Sequence, residues 1–433
     1  MKTYKAYNNR NFLDIPQLTN LTDEQKKAIR IVSRVLPFKT SNYVVEELID
    51  WKNFEQDPLF LLNFPQKEML PDQSFEELAA MISRKSSRED IAKFVHSVRL
   101  SMNPHPAGQL EHNVPVLNGE KLQGIQHKYR ETMLFFPSQG QTCHAYCTFC
   151  FRWPQFTGMG DIKFGMKQTN LLIEYLREHP EITDVLFTGG DPMVMKASIL
   201  KRYINAILKA DLPHVKSIRI GTKALSFWPY RFLTDPDSQE IIDLFKRVSD
   251  KGIHLALMAH FNHDNELNTD AVADAVSAIH LTGAQIRTQS PVIRHINDSS
   301  DVWAIMWRKQ VDLGMIPYYM FMARNTGAQH YFGVSMQSAL DIFTEAYRQV
   351  SGICRTVRGP SMSAGPGKVH INGTAEINGE KVYVLSFIQG RLPEWVGQPF
   401  FAEYNRDALW LNDLKPAFGK KAFFYEKEYK KLV

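Results

Sequence analysis

From about residue 132 onward, short apolar runs alternate with amphipathic stretches, and this rhythm restricts the possible folds more than any other property of the chain. The apolar runs are residues 133–136, 184–188, 217–221, 254–259, 285–289 and 317–322. The amphipathic stretches between them cover residues 167–178, 197–210, 238–251, 269–282 and 301–313. Strands that recur about every 30 to 50 residues, with a helix between each pair, lie parallel and are joined by right-handed crossovers. Six such units make up most of a barrel, of which eight would be complete. The expected fold is therefore α/β: a partial (β/α)6 TIM-like barrel, with its active site in the loops that follow the strands.

The loop after the first of these strands carries Cys143-His144-Ala145-Tyr146-Cys147-Thr148-Phe149-Cys150, and the chain has one other cysteine, Cys354. Thiolates are the preferred ligands of iron–sulfur clusters. Three of them in a C-x3-C-x2-C loop can hold three irons of a [4Fe–4S] cube and leave the fourth open to a small molecule. The same residues also allow a zinc site completed by His144 or a distant histidine, or three buried structural thiols. Zinc sites usually come as paired knuckles, and no second knuckle is present.

The flanks read differently. Residues 1–110 are helical and polar-rich, with capping-box patterns at Thr22–Gln25 and Ser86–Glu89 and a break around Asn103–Gly108. After about residue 345 the alternation stops. Asn378-Gly379 between apolar runs is a hairpin turn, and the last forty residues are too aromatic for a disordered tail. They are expected to pack on the barrel or on another subunit. The resulting division is 1–110, 111–345 and 346–433. A net charge of +5 with no basic run gives no support for nucleic-acid binding. Clustered free cysteines fit a reducing compartment. The start lacks the apolar stretch of a signal peptide, and no apolar run is long enough to span a membrane. The expectation is a cytoplasmic protein.

The cysteine spacing, with aromatic Phe149 ahead of the last cysteine, resembles the signature of the radical S-adenosylmethionine (radical SAM) superfamily. There the open iron chelates S-adenosylmethionine, which is cleaved to a 5′-deoxyadenosyl radical. Gly189-Gly190-Asp191, at the end of the second strand, is similar to the motif that holds the cofactor's amino group in that superfamily. Further motifs narrow the resemblance: Gln126–Tyr129, Ile218–Thr222, His260–Glu266, Gln289-Ser290 and Asn297-Asp298. In this order they resemble the lysine 2,3-aminomutase family over about residues 95 to 390. That family adds pyridoxal 5′-phosphate (PLP) and moves an amino group from Cα to Cβ. The resemblance makes Lys368, at the end of Ser363-Ala364-Gly365-Pro366-Gly367, the lysine that holds PLP covalently. It places Lys128 and Tyr129 at the PLP phosphate and His260 and Gln289 among the cofactor contacts. A family arginine of the phosphate site is replaced here by Thr132.

The substrate residues implied by the resemblance depart from those of lysine-specific members. Arg152 matches the arginine that grips the α-carboxylate, a task suited to a guanidinium fork. The two aspartates that hold a lysine ammonium fall on Arg324 and Ser361. An ammonium facing Arg324 would meet a like charge. The expected substrate is therefore an acidic amino acid, glutamate first and aspartate second. The alternatives are a 2,3-aminomutase for another amino acid such as lysine, a PLP-dependent radical lyase or epimerase, a radical SAM enzyme without PLP, and a non-catalytic metal-binding scaffold. An electron donor such as flavodoxin or ferredoxin is the expected partner. No cysteine follows Cys354, so the family's C-terminal zinc contact should be absent, although a homo-oligomer is still expected.

Overall fold

The computed structural model describes residues 2–104, 112–158 and 164–432; the part of the expected break that falls on residues 105–108 lies outside them. Strands β1 (Ala6–Asn8) and β2 (Lys39–Ser41) pair antiparallel near the N-terminus, and β3 (Val116–Leu117) pairs with β4 (Glu120–Lys121) in a small ribbon. Everything else in β-conformation belongs to one sheet of eleven strands: β5 (Ile125–Tyr129), β6 (Thr132–Phe135), β7 (Asp184–Phe187), β8 (Ser217–Thr222), β9 (His254–His260), β10 (Gln285–Val292), β11 (Ile316–Met322), β12 (Arg358–Ser363), β13 (Gly367–Ile377), β14 (Glu380–Gly390) and β15 (Pro399–Glu403). They lie side by side in chain order. Strands β6 to β12 are all parallel; β5, β13, β14 and β15 run antiparallel to their neighbours.

All six expected strands are present, with ends within three residues of those read from the sequence. Each is followed by a crossover helix: Thr169–Glu178, Ala197–Lys209, Ser238–Asp250, Asp270–His280, Ser300–Asp312 and Met336–Arg348. The apolar faces of these helices and the strand residues that face them, such as Val185, Phe187, Ile218, Ile220, Leu255 and Leu257, form one buried core. The fold is the expected partial barrel with one addition. The sequence reading ends the alternation at about residue 345, yet β12 continues the sheet as a seventh parallel strand beside β11. Its sequence, Arg-Gly-Pro-Ser-Met-Ser, lacks the apolar alternation by which a strand is recognised.

Strands β13 and β14 form the expected hairpin. Ile377 pairs with Glu380 across Asn378 (φ +53°) and Gly379 (φ +80°), the two positive φ values of a tight primed turn. The aromatic tail packs against this hairpin: Phe400, Phe423 and Tyr425 surround Phe387 and Trp395, and the Trp395 indole donates to Glu428 at 2.7 Å.

The N-terminal region has a separate apolar core, which also takes in Ala145, Cys147, Phe149 and Trp153 from the cysteine loop and its continuation. Thr22 and Gln25 form the expected capping box ahead of helix Asp23–Val35. The second expected box, at Ser86–Glu89, does not form; the cap lies one residue later and is a single bond. Ser87 caps helix Arg88–Ser101 by accepting from Asp90 N, because Lys85 (φ +55°) and Ser86 terminate the preceding helix through the Ser86 N to Met81 O bond. Among the described residues, no helix is long and apolar enough to cross a membrane.

Candidate active site

The cysteine loop has no regular structure, so its shape depends on bonds to other segments, and most of these come from the N-terminal region. Lys39 Nζ donates to Cys143 O at 2.7 Å and Tyr4 Oη to His144 O at 2.6 Å. Tyr146 N donates to Lys39 O (2.7 Å) and Thr148 N to Leu62 O (2.9 Å). The N-terminal region therefore holds the loop in place as well as covering the barrel. Burial raises all three thiols above their ordinary range. For Cys143 the nearby Asp191 carboxylate and the two other thiols add to the effect; for Cys150, Arg152 works against it. Among the described residues, no three His, Cys, Asp or Glu side chains converge closely enough to hold a single metal ion.

Gly189-Gly190-Asp191 braces the loop from the barrel side. Asp191 N donates to Gly140 O (3.1 Å) and Thr142 O (2.7 Å), immediately before Cys143. Gly189 has φ +140°, and a Cβ on Gly190 would run into the Thr142 backbone. Only glycines fit here, because the turn lies directly against the loop. The Asp191 carboxylate is buried and turned inward: it accepts from Thr222 Oγ1 (2.8 and 2.9 Å), Lys223 N (2.8 Å) and Met193 N (2.9 Å). Burial raises its pKa to about 6 despite these bonds. Its side chain ties β7 to β8, while the backbone of the turn faces the loop. Gly190→Ala is expected to lower stability by about 1–3 kcal/mol through this overlap and to reduce iron bound per chain after reconstitution. Thermal melting and iron analysis check both; wild-type iron content in the variant would contradict the bracing role.

His260 and Gln289 occupy opposed positions on β9 and β10, where Gln289 Nε2 lies 2.7 Å from His260 Nε2. Burial, with Lys223 nearby, lowers the His260 pKa to about 3, so the ring is neutral and its Nε2 accepts. Lys223, at the end of β8, forms a buried ion pair with Glu266 at 2.5 Å. His260 and Gln289 thus meet each other at the carboxyl edge of the sheet, but neither lines the cavity described next.

A cavity of about 550 Å³ opens beside this edge and gathers most of the remaining expected residues: Lys128, Tyr129, Arg152, Arg324 and Lys368, with Thr132 also in its wall. Ser361 is not among them. It is fully buried on β12, and its hydroxyl donates to Met320 O at 3.3 Å. Lys368, the second residue of β13, points its Nζ over the Tyr319 ring at 3.9 Å. Burial, with Arg219, Arg358 and Arg324 nearby, lowers its pKa to about 7. Arg152 and Arg324 both lie over Phe151, at 5.1 and 4.4 Å, and burial together with Arg324 lowers Arg152 to about 10.

The wall holds six cationic side chains and, among the described residues, no carboxylate: Lys128, Arg152, Arg219, Arg324, Lys368 and Arg391. Among the described residues, only Arg219 has an acidic partner, Asp184, with Nε to Oδ1 at 2.8 Å. Lys128 donates to Ala364 O, and Arg391 Nε to Gly365 O at 3.0 Å, so the two grip adjacent carbonyls of the turn ahead of Lys368. Arg391 also donates to Asn113 Oδ1 at 2.5 Å. Half-buried cations whose partners among the described residues are neutral create a demand for anions.

Sequence reasoning did not single out Arg391, but a signal for it exists. Counting back from the Asn378-Gly379 turn sets Lys368 opposite Gln389, as observed, because the two register irregularities of the hairpin cancel. The residues just past Gln389 must therefore flank Lys368. Trp410, Asn412 and Tyr429 of the tail also line the cavity, and no local pattern marked them.

No protein-family model matches the chain. By sequence it is 29% identical over 401 residues to a protein of Aquifex aeolicus provisionally named an L-lysine 2,3-aminomutase, covering 93% of this chain and 94% of that one. It is 24% identical over 423 residues to the L-lysine 2,3-aminomutase of Bacillus subtilis, covering 96% and 79%. Among solved structures, a radical SAM methyltransferase from Sphaerobacter thermophilus superposes with a TM-score of 0.39 at 14% identity, over 57% of this chain and 69% of that one. With the cysteine loop, the glycine turn and the lysine cavity all in place on a partial barrel, the chain is a homologue of the L-lysine 2,3-aminomutases of the radical SAM family.

Proposed function

We propose that this chain is a 2,3-aminomutase for an acidic amino acid, glutamate before aspartate, that works with a [4Fe–4S] cluster, S-adenosylmethionine and PLP. The observation that carries the substrate class is the number of unpaired cations in the cavity. Lys128 and Arg391 beside the Lys368 turn suit a phosphate dianion, with Arg391 making up for the cation absent at Thr132. Arg152 suits an α-carboxylate, and Lys368 is the amine for the aldehyde. One buried guanidinium, Arg324, is left over and suits a second carboxylate on the substrate.

The donor sets fit the cofactors. Cys143, Cys147 and Cys150 would hold three irons, and the backbone of the Gly189–Asp191 turn would face the S-adenosylmethionine end, with His260 and Gln289 on the neighbouring strands. When bound, the reduced cluster and S-adenosylmethionine supply a carbon radical, and PLP supplies a conjugated ring that delocalises an unpaired electron. The chain contributes the rest. Lys368 Nζ, with its pKa lowered to about 7, is uncharged in about half of the molecules at neutral pH and so available as a nucleophile. Arg152 and Arg324 clamp the two ends of a short dicarboxylate and fix which carbon faces the cluster loop. Phe151, over which both guanidiniums lie, excludes water from between them. A one-electron donor such as flavodoxin or ferredoxin and association into a homo-oligomer complete the reading.

Lysine is the second reading, because the relatives carry that substrate in their names. Anaerobic turnover with dithionite, S-adenosylmethionine and PLP, read by mass spectrometry of the β-amino products, separates the two. Glutamate should be converted at least about 100-fold faster than lysine, the cost of one desolvated like-charge contact. Lysine turnover with inert glutamate and aspartate would overturn the acidic reading.

A further inference from the structure

A second cleft, of about 540 Å³, lies where helices Asp23–Val35 and Arg88–Ser101 meet the cysteine loop. Its walls carry Arg34, Arg88 and Arg99, and its floor carries Tyr146 and Phe156; among the described lining residues there is no carboxylate. Tyr146 stands between Cys143 and Cys147 in the chain, so part of the floor is the cysteine loop itself. The two floor rings are stacked, with centroids 4.6 Å apart and 13° between planes. Lys39 lies 5.8 Å over the Tyr146 ring while it donates to Cys143 O.

The three arginines are not used up by the fold. Arg99 donates only to carbonyls, those of Arg34 (2.7 Å), Val35 (2.9 Å) and Thr157 (3.0 Å). Arg34 and Arg88 are exposed, and among the described residues neither makes an ion pair. A concentration of one sign of charge around an open cleft raises the local concentration of an oppositely charged partner and speeds its encounter. The Lys368 cavity has a comparable cation excess, but it holds the residues of the proposed substrate site, whereas this cleft shares no lining residue with it and reaches the cysteine loop at Tyr146.

We propose that this cleft docks the acidic face of a reduced flavoprotein acting as a one-electron donor, with Tyr146 and Phe156 as the contact nearest the cluster. The proposal rests on reading Cys143, Cys147 and Cys150 as cluster ligands. One electron leaves the donor, which is oxidised by one unit, and enters the oxidised cluster, which is reduced by one unit. No bond is made or broken and no proton need move. Arg34, Arg88 and Arg99 hold the donor's carboxylates, so the interaction should be strongest at low salt.

The test uses reconstituted full-length enzyme of verified iron content and a reduced flavodoxin as the probe. In about 50 mM salt, Arg34→Glu with Arg88→Glu should weaken donor binding at least about tenfold, and Arg34→Gln with Arg88→Gln should have a smaller effect. The gap should close near 0.5 M salt. Reduction of the cluster by dithionite, followed by electron paramagnetic resonance, should stay at the wild-type level in both variants. Equal donor affinity in wild type and charge-reversed enzyme overturns the docking site, as does a loss that persists at high salt or extends to dithionite. So does release of the donor from the wild type by millimolar inorganic phosphate with no salt dependence beyond it, which would mark the cleft as a small-anion site. A wild-type chain that takes up no iron overturns the cluster reading instead, and iron analysis shows this before any donor is added.

Discussion

Replacing Lys368 by alanine is expected to abolish covalent capture of PLP and to lower turnover by about 1,000-fold or more, since no other group can take over a covalent attachment. The cavity makes a sharper prediction about pH. Lys368 lies under Tyr319, surrounded by Arg219, Arg358 and Arg324, so burial and like charge both disfavour its ammonium. A depressed pKa means that the proton leaves as pH rises through about 7, rather than above 10 as for a surface lysine. In the ligand-free protein the rate of capture should rise about tenfold per pH unit below 7 and level off by about pH 8. Borohydride trapping between pH 5.5 and 9, followed by peptide mapping, measures both the profile and the residue. Lys128 is the internal control. It too is buried, and Arg324, Arg391 and Lys368 hold its pKa well below the ordinary range, but its Nζ is committed to the Ala364 carbonyl. A label on Lys128, or a rate still climbing at pH 9, would sink the assignment.

What could be read from the sequence followed the range of the interactions concerned. Strands β6 to β11 announce themselves because one face of each is buried under the crossover helices, and local pattern records that demand. The Asn378-Gly379 turn is legible for a similar reason: positive φ at two successive residues leaves few choices. Strand β12 was missed because neighbours on both sides define it. Ser361, read by counting back from Lys368, falls on that strand two residues before Ser363, which does line the cavity, so what keeps it out of the wall is its position along the strand, which spacing within a glycine-rich segment does not reveal. The grip of Lys39, Tyr4 and Leu62 on the cysteine loop spans more than eighty residues of sequence in each case, and no local motif encodes it. The cation excess was half visible. Lys128, Arg152, Arg324 and Lys368 carry motif signals, whereas Arg391 acquires its meaning only once the hairpin is folded.

Arg324→Asp tests the substrate reading with the largest expected effect. If Arg324 binds the side-chain carboxylate of the substrate, reversing its charge replaces an attraction by a repulsion in a poorly solvated wall. Glutamate turnover should then fall by about 100-fold or more. The same change presents an anion to a lysine ammonium, so turnover of lysine should rise from its wild-type level. Arg324→Gln separates the two effects, because it removes both the attraction for a carboxylate and the repulsion of an ammonium without adding an anion: glutamate should suffer, and lysine should gain less than in Arg324→Asp. Folding should not obscure the result. Arg324 depresses the pKa of Lys128, Arg152 and Lys368 alike, so removing its charge relieves crowding, and the melting temperature should hold or rise. The outcome that would contradict this assignment is also specific. Arg324 lies near Tyr129 as well as over Phe151, on the side where Lys128 and Arg391 face the turn ahead of Lys368. If Arg324→Asp loses PLP affinity first, while enzyme saturated with PLP still prefers glutamate, the guanidinium belongs to the phosphate. The second carboxylate must then be held by another group.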